Sequence, residues 1–268
     1  MSPRKIYLSL ALGTVAAVVI AFLLVWLQVY QETTTVTFLS VGEGDAILIS
    51  QGANQILIDG GRSGKDLLAR LGRQMPFWDR TVEILIATHP DADHIGGFAA
   101  LLSAYEVPLF LFTGAESETE TSALLRQSLE THHIEIRKIF RGGGIRLPEG
   151  GELAIEYPLT ALPREMQDTN AGSIVARFIF GATEMLLTGD LPKEEQVLPD
   201  TRPADILKVA HHGSKYSTSA AFLENVKPQA AIISVGKNSY GHPSPDVLAR
   251  LTERGIALLR TDTDGDVR

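Results

Sequence analysis

The chain has 268 residues, 44% hydrophobic and 21% charged, the composition of a globular protein and not of a disordered one. It contains no Cys, which excludes a disulfide framework and any thiolate metal site, so a bound metal must be held by His, Asp, Glu or Asn. With Lys+Arg 24 against Asp+Glu 32 the formal charge is −8, which argues against tight duplex binding through a broad basic face; it leaves room for a phosphodiester substrate.

The first element, Ile6 to Tyr30, is 25 residues without a charge. Its length is that of a bilayer-spanning helix with some tilt. Arg4 and Lys5 precede it, while Glu32, Glu43 and Asp45 are the first charges after it. The positive-inside rule then puts the N-terminus in the cytoplasm and the rest of the chain outside it, as a single-pass cell-membrane protein. Trp26 and Tyr30 are suited to the outer interface. A cleaved signal peptide is the rival, but its apolar core is normally ~7–15 residues and ends in a small-x-small site, which Trp-Leu-Gln-Val-Tyr-Gln does not offer. The sequence thus divides into an anchor over 1–30, a polar linker over 31–35 and one domain over 36–268, roughly 235 residues and ordinary for a layered α/β enzyme.

In the domain, Val36–Ser40, Asp45–Ser50 and Gln55–Ile58 read as strands, Gly64–Gln74 as a helix and Val82–Ala87 as a buried strand. A helix over Ile95–Tyr105, a strand over Val107–Phe112 and an amphipathic helix over Ser117–Thr131 follow. The second half repeats the scheme. Strands are expected over Glu152–Tyr157, Ser173–Phe180, Thr183–Leu187, Asp205–Ala210, Ala230–Val235 and Ile256–Arg260. Helices are expected over Pro192–Leu198, Ser219–Asn225 and Pro245–Arg254. Two mixed halves suggest two sheets packed face to face with helices outside. The stretch after Arg260 reads as a turn, leaving an edge strand short or missing.

The most informative stretch is Thr88-His89-Pro90-Asp91-Ala92-Asp93-His94-Ile95-Gly96-Gly97, where four metal-competent side chains fall within six residues. His89, Asp91 and Asp93 alternate and His94 points differently, which suits two adjacent ions better than one. Imidazole suits zinc and carboxylate suits manganese. Three other strand ends carry weaker signals. Leu186 to Asp190 ends a strand in Gly-Asp, able to offer a bridging carboxylate. Val209-Ala210-His211-His212-Gly213-Ser214 places adjacent histidines after a strand; on an extended chain they point to opposite sides, so one ligates and the other orients it or meets substrate. Lys215, Ser217 and Ser219 follow as donors to an anion. His242, before Pro243, sits in a turn. Asp59 fits a partner that orients a ligand His, and equally a simple turn residue. Asn170 and Ser173 carry little alone. His132 and His133 read as surface residues.

Taken together, HxDxDH, then Thr-Gly-Asp, then His-His-Gly-Ser resembles the metallo-β-lactamase superfamily, and within it the metallo-hydrolase domain of ComEC-type competence proteins. Phe38 to Asp45, Leu57 to Gly61 and Tyr240 to Pro243 add to the likeness, which spans Val36 to Asp266. The resemblance implies an αββα sandwich with a dinuclear site, of Zn or Mn, at one edge. His89 and Asp91 would hold one ion, and Asp93 and His94 the other. Asp190 would bridge them, and one of His211 and His212, His211 first, would complete the second. Asp93, His212, Lys215 and His242 are the candidates for catalysis and substrate contact. Asp91 stands where the superfamily usually has His, which favours manganese and disfavours β-lactam hydrolysis. A single apolar span implies no transport channel in this chain. The expected activity is metal-dependent hydrolysis of a phosphodiester, with nucleic acid as substrate. The rivals are hydrolysis of a lactone, thioester or wall-polymer phosphodiester, and a metal-stabilised binding module.

Overall fold

In the computed structural model, which describes residues 3–29 and 34–268, the apolar N-terminal segment forms helix α1 (Pro3–Val29). Among the described residues it is the one helix long and apolar enough to cross a membrane, over Pro3–Trp26. Tyr30 and residues 31–33 of the expected linker lie outside the described residues, and Thr34 and Thr35 already belong to β1 (Thr34–Phe38).

The first half continues with β2 (Ile47–Gln51), β3 (Asn54–Ile58), α2 (Gly64–Gln74), β4 (Ile84–Ile86), α3 (Ala92–Ile95), α4 (Phe98–Ala104), β5 (Leu109–Phe112), α5 (Glu120–Thr131) and β6 (Glu135–Lys138). The second half contains β7 (Gly144–Arg146), β8 (Glu152–Tyr157), β9 (Val175–Phe180), β10 (Thr183–Leu187), α6 (Glu194–Val197) and β11 (Ile206–Lys208). It ends with α7 (Ala220–Val226), β12 (Ala230–Ile233), α8 (Pro245–Glu253), β13 (Ala257–Arg260) and α9 (Thr261–Asp264). The two sheets have the orders β1-β2-β3-β4-β5-β6 and β13-β12-β11-β10-β9-β8-β7. Strands β3 to β6 run parallel, as do β10 to β13.

Alternation along the strands creates the layers. Ile47 and Ile49 of β2, Ile56 and Ile58 of β3, and Met185 and Leu187 of β10 join one core together with Phe178 and Ile155, between the sheets. The intervening Leu48 and Leu57 pack with Leu67, Leu71, Phe98 and Leu101 of the helices on one outer face. Leu186 and Leu207 pack with Phe222, Leu223, Val247 and Leu251 on the other. The result is the expected αββα sandwich. Hydroxyl N-caps fix where four outer helices begin: Ser63, Thr119, Ser219 and Ser244 each accept from a backbone N–H three residues on.

The differences from the sequence reading have local causes. The helix expected over Ile95–Tyr105 is broken into α3 and α4, because the Gly97 N–H donates to the Gly61 carbonyl and the His94 carbonyl accepts from the Gly60 N–H, which takes both groups out of the helical ladder. Strands β6 and β7 were not expected: every residue of β6 is exposed, so no apolar alternation marks it. The turn expected after Arg260 contains α9, and Val267 then exchanges two backbone hydrogen bonds with Phe38 beside β1. Strand β11 stops at Lys208, not Ala210, which changes how the following histidines are presented.

Candidate metal centre

The C-terminal ends of the parallel strands of both sheets meet at one edge, the usual place for a site in such sheets. Asp59 follows β3, His89 to His94 follow β4, Asp190 follows β10 and His211–His212 follow β11. The β1–β2 loop adds Asp45. That loop can close on the ligand segment because Gly44 (φ +108) has no side chain; a Cβ there would sit 1.8 Å from the carbonyl oxygen of Asp93.

Three buried imidazoles are oriented alike. His94 Nδ1 lies 2.7 Å from Asp59 Oδ2, and Asp59 also accepts from the Thr88 N–H and hydroxyl at 2.8 and 2.7 Å. His212 Nδ1 lies 2.8 Å from the Ser234 carbonyl oxygen, which can only accept, so Nδ1 carries the proton. His89 Nδ1 lies 3.0 Å from the Thr88 hydroxyl, whose own proton is committed to Asp59. In each ring the remaining nitrogen, Nε2, is buried without a hydrogen-bond partner, and so is Asp190 Oδ1. These Nε2 atoms converge on carboxylates: His94 and His212 both stand 3.2 Å from Asp190 Oδ2, and His212 stands 3.5 Å from Asp93 Oδ2. Three sets of ligand atoms are each close enough to surround one ion: His89–His94–Asp190 and Asp93–His94–His212, and a third, Asp45–Asp59–His94, that includes the Asp59 carboxylate already bonded to His94.

Charge makes the same point. Asp45, Asp59, Asp91, Asp93 and Asp190 crowd this edge, against the buried ammonium of Lys208, in contact with Asp45 and 3.5 Å from Asp190 Oδ1, and Arg62 at 3.8 Å from Asp93. Burial opposes the charge on His94 and His212, but Asp190 and its neighbours outweigh it and hold both pKa values well above the usual imidazole value. The site therefore attracts positive charge strongly, whether as protons or as cations. Burial also opposes ionisation of Asp93 and Asp190, yet the surrounding histidines hold both low. Unpartnered inward nitrogens, an orphaned carboxylate oxygen and excess negative charge form a donor set that fits divalent ions.

The remaining candidates divide by position. Asp91 is partly exposed; its Oδ2 is 3.8 Å from His89 Nε2, and its Oδ1 accepts from Thr169 at 2.6 Å. His211 stands outside all three ligand sets, with Nε2 at 4.0 Å from Asp190 Oδ2. The geometry thus brings His212 inward where the sequence reading put His211 first. The reason is backbone: His211 and His212 both adopt left-handed φ near +50°, so the segment is a tight turn and the extended-chain argument does not apply. His242 lines the open cavity of roughly 530 Å³ in front of the site, its ring centroid 5.4 Å from that of His211. Burial lowers the pKa values of His211 and His242 below the usual value, and the charge on His212 adds to the effect. Lys215 is exposed and lies over the Tyr216 ring, away from the cavity lining. His132 and His133 are exposed at the end of α5, as expected.

Sequence reasoning missed Asp45, Lys208, Thr88 and Thr169, and gave Ser173 and Asn170 little weight. Ser173 accepts from the Asp190 N–H at 3.1 Å and lies 3.3 Å from His89 Nδ1, and Asn170 lines the cavity. One signal was available: Lys208 is a lone charge in the otherwise apolar run Ile206 to Ala210.

The sequence profile of the metallo-beta-lactamase superfamily matches residues 39–237. The chain belongs to this superfamily of metallo-hydrolases. It is 32% identical over 256 residues to ComE operon protein 3 of Bacillus subtilis (strain 168), a match covering 87% of this chain and 32% of that protein. It is also 32% identical over 252 residues to Recombination protein 2 of Haemophilus influenzae, covering 92% of this chain and 30% of that one. The chain thus spans about a third of the length of these curated relatives. Among solved structures, the metallo-beta-lactamase fold protein YhfI of Bacillus subtilis superposes with a TM-score of 0.56 at 12% identity, covering 88% of this chain and 99% of that one. A diphosphatase of the PhnP family superposes with a TM-score of 0.51 at 15% identity, covering 87% and 98%. At such identities these likenesses establish the fold.

Proposed function

We propose that this chain is a metal-dependent phosphodiesterase, a nuclease acting on DNA at the outer side of the cytoplasmic membrane. The observation that carries the reading is the set of inward, unpartnered Nε2 atoms of His89, His94 and His212 gathered around the Asp190 carboxylate. His89 and Asp91 would hold one ion and Asp93, His94 and His212 the other, with the Asp190 carboxylate within reach of both sets. Asp91, an oxygen donor where the superfamily usually has imidazole, favours manganese over zinc. When bound, the ion pair supplies an acidified water and neutralises charge on the phosphoryl oxygens.

The chain's own residues set up that chemistry. Asp59, Thr88 and the Ser234 carbonyl fix the tautomers of His94, His89 and His212. Lys208 offsets Asp45 and steadies Asp190. His242 and His211, held neutral near pH 7 by burial, stand in the cavity as proton carriers for the reacting and leaving oxygens. A hard, oxygen-rich site matches the charge of a phosphodiester better than that of a neutral amide. The name of the relative Recombination protein 2 supports DNA as the substrate, since recombination is a process on DNA. Helix α1, with Arg4 and Lys5 in its first turn ahead of the apolar run, supports a single-pass anchor with the domain outside.

The test is a panel: the purified full chain in detergent with Mn²⁺, Zn²⁺ or Mg²⁺, against single-stranded DNA, duplex DNA, bis-p-nitrophenyl phosphate, a lactone and a thioester. Phosphodiester cleavage that is abolished by chelator and by His94→Ala is expected, and the acidic chain implies only a gentle loss of affinity with salt. Opening of the lactone or thioester without phosphodiester cleavage overturns the reading. Protease added outside intact cells with a permeable envelope is expected to digest the domain; protection until lysis overturns the orientation.

A further inference from the structure

The turn Asn238–His242 forms part of the wall of the cavity in front of Asp190 and His212. One side chain builds it. Asn238 Oδ1 accepts from the N–H groups of Tyr240 and His242, both at 3.1 Å, and its Nδ2 donates to the carbonyls of Gly236 and His242 at 2.9 and 2.8 Å. The turn is therefore ordered before any ligand arrives. On it Tyr240 is 68% exposed, although it lines the same cavity as the ligand carboxylates. Its ring is stacked with that of His242, centroids 5.8 Å apart and planes at 28°, and His242 in turn rests edge-on against His211. A large aromatic face is thus stacked on the His242 imidazole, which itself rests on His211, and is left exposed beside the metal-competent atoms.

We propose that Tyr240 is a stacking platform for a nucleobase next to the scissile phosphodiester, making single-stranded nucleic acid the preferred substrate. The inference rests on the phosphodiesterase reading above. A base in a flexible strand can turn a π-face to the ring, whereas duplex bases are already stacked on one another. The net charge of −8 adds weight to such a contact, because the chain as a whole repels a polyanionic backbone. Stacking is sequence-tolerant, so the platform selects for strandedness and not for a particular base.

The test uses the full chain loaded with Mn²⁺ and two oligonucleotides of equal length, one of thymidines with a single 2-aminopurine and one fully abasic. Y240A is expected to raise KM for the base-bearing strand roughly 5- to 150-fold, from a stacking contribution of about 1–3 kcal/mol, with kcat within about twofold. Y240F is expected to restore KM. The difference between Y240A and wild type is expected to vanish on the abasic strand. Quenching of 2-aminopurine in a non-cleavable phosphorothioate strand is expected with wild type and Y240F and to be lost with Y240A. An equal KM change on both strands, or quenching that survives in Y240A, overturns the platform while leaving the phosphodiesterase reading in place. A wild-type protein that cleaves neither strand overturns that reading and this inference with it.

Discussion

His94 Nδ1 and Asp59 Oδ2 lie 2.7 Å apart in a place closed to solvent, each inside hydrogen-bond reach of only a few groups. Asp59 has a left-handed φ of 59°, so the backbone after β3 is bent to bring this carboxylate under the ring. The pair fixes which nitrogen of His94 faces the site.

Asp59→Asn keeps the shape and removes the charge that holds the His94 tautomer. Metal affinity is expected to fall about 10- to 100-fold, the usual effect of losing such a partner. Competition with a fluorescent chelator measures it, and thermal unfolding checks that the variant is folded. An unchanged affinity in a folded variant removes the orienting role from Asp59.

The two adjacent histidines make a sharper test. His212 Nε2 is buried and faces Asp93 and Asp190, whereas His211 stands outside all three ligand sets. His212→Ala and Asp190→Ala are each expected to lower metal content from about two ions toward one or none, with His211→Ala retaining both. Elemental analysis of the folded variants decides. Loss of an ion from His211→Ala alone would falsify the assignment of His212.

Lys208 is fully buried with Asp45 and Asp190 as its counter-charges. Burial opposes its charge, and these carboxylates reverse the effect and raise its pKa. Lys208→Met leaves Asp45 buried without its cation and is expected to cost about 3–5 kcal/mol in chemical denaturation. Asp45→Asn combined with Lys208→Met is expected to recover a good part of that loss. If the double variant is no more stable than the single one, the pair is not the source of the cost.

How far the sequence carried the reading depended on whether the signal was contiguous. His89, Asp91, Asp93 and His94 are near neighbours on one loop, and their spacing alone pointed to the donor cluster at this edge. The αββα layering was legible too, because β2, β3 and β10 alternate apolar faces. Asp45 and Lys208 are 163 positions apart in a numbering that runs from 45 to 208, and only sheet packing unites them. The presentation of His211 and His212 depends on two successive left-handed residues, which residue types other than Gly do not advertise. Edge strands β6 and β7 escaped because exposed strands need no apolar period.

Glu194 offers a test away from the ligands. It begins α6, is fully buried, and accepts from the Thr218 N–H at 2.8 and 2.9 Å through its two oxygens and from the Thr218 hydroxyl at 3.2 Å. It thereby ties α6 to the end of the loop that carries His211 and His212. Burial raises its pKa from 4.5 to about 7; the hydrogen bonds from Thr218 oppose that rise, and the charge of Glu195 adds to it. The folded state therefore keeps the proton that the unfolded chain loses near pH 4.5. Between these values the native state binds more protons than the unfolded one, so stability falls as pH rises, and the fall ends near pH 7. The shift corresponds to about 3 kcal/mol at most. Glu194→Gln has no charge to bury. Relative to this variant, the wild type is expected to lose roughly 5–10 °C in Tm between pH 5 and 7.5. Calorimetry on both proteins at matched metal loading measures the difference, since any pH dependence of metal binding is shared. Parallel Tm profiles across that range show that Glu194 is ionised in the folded protein at pH 5 and sink the prediction.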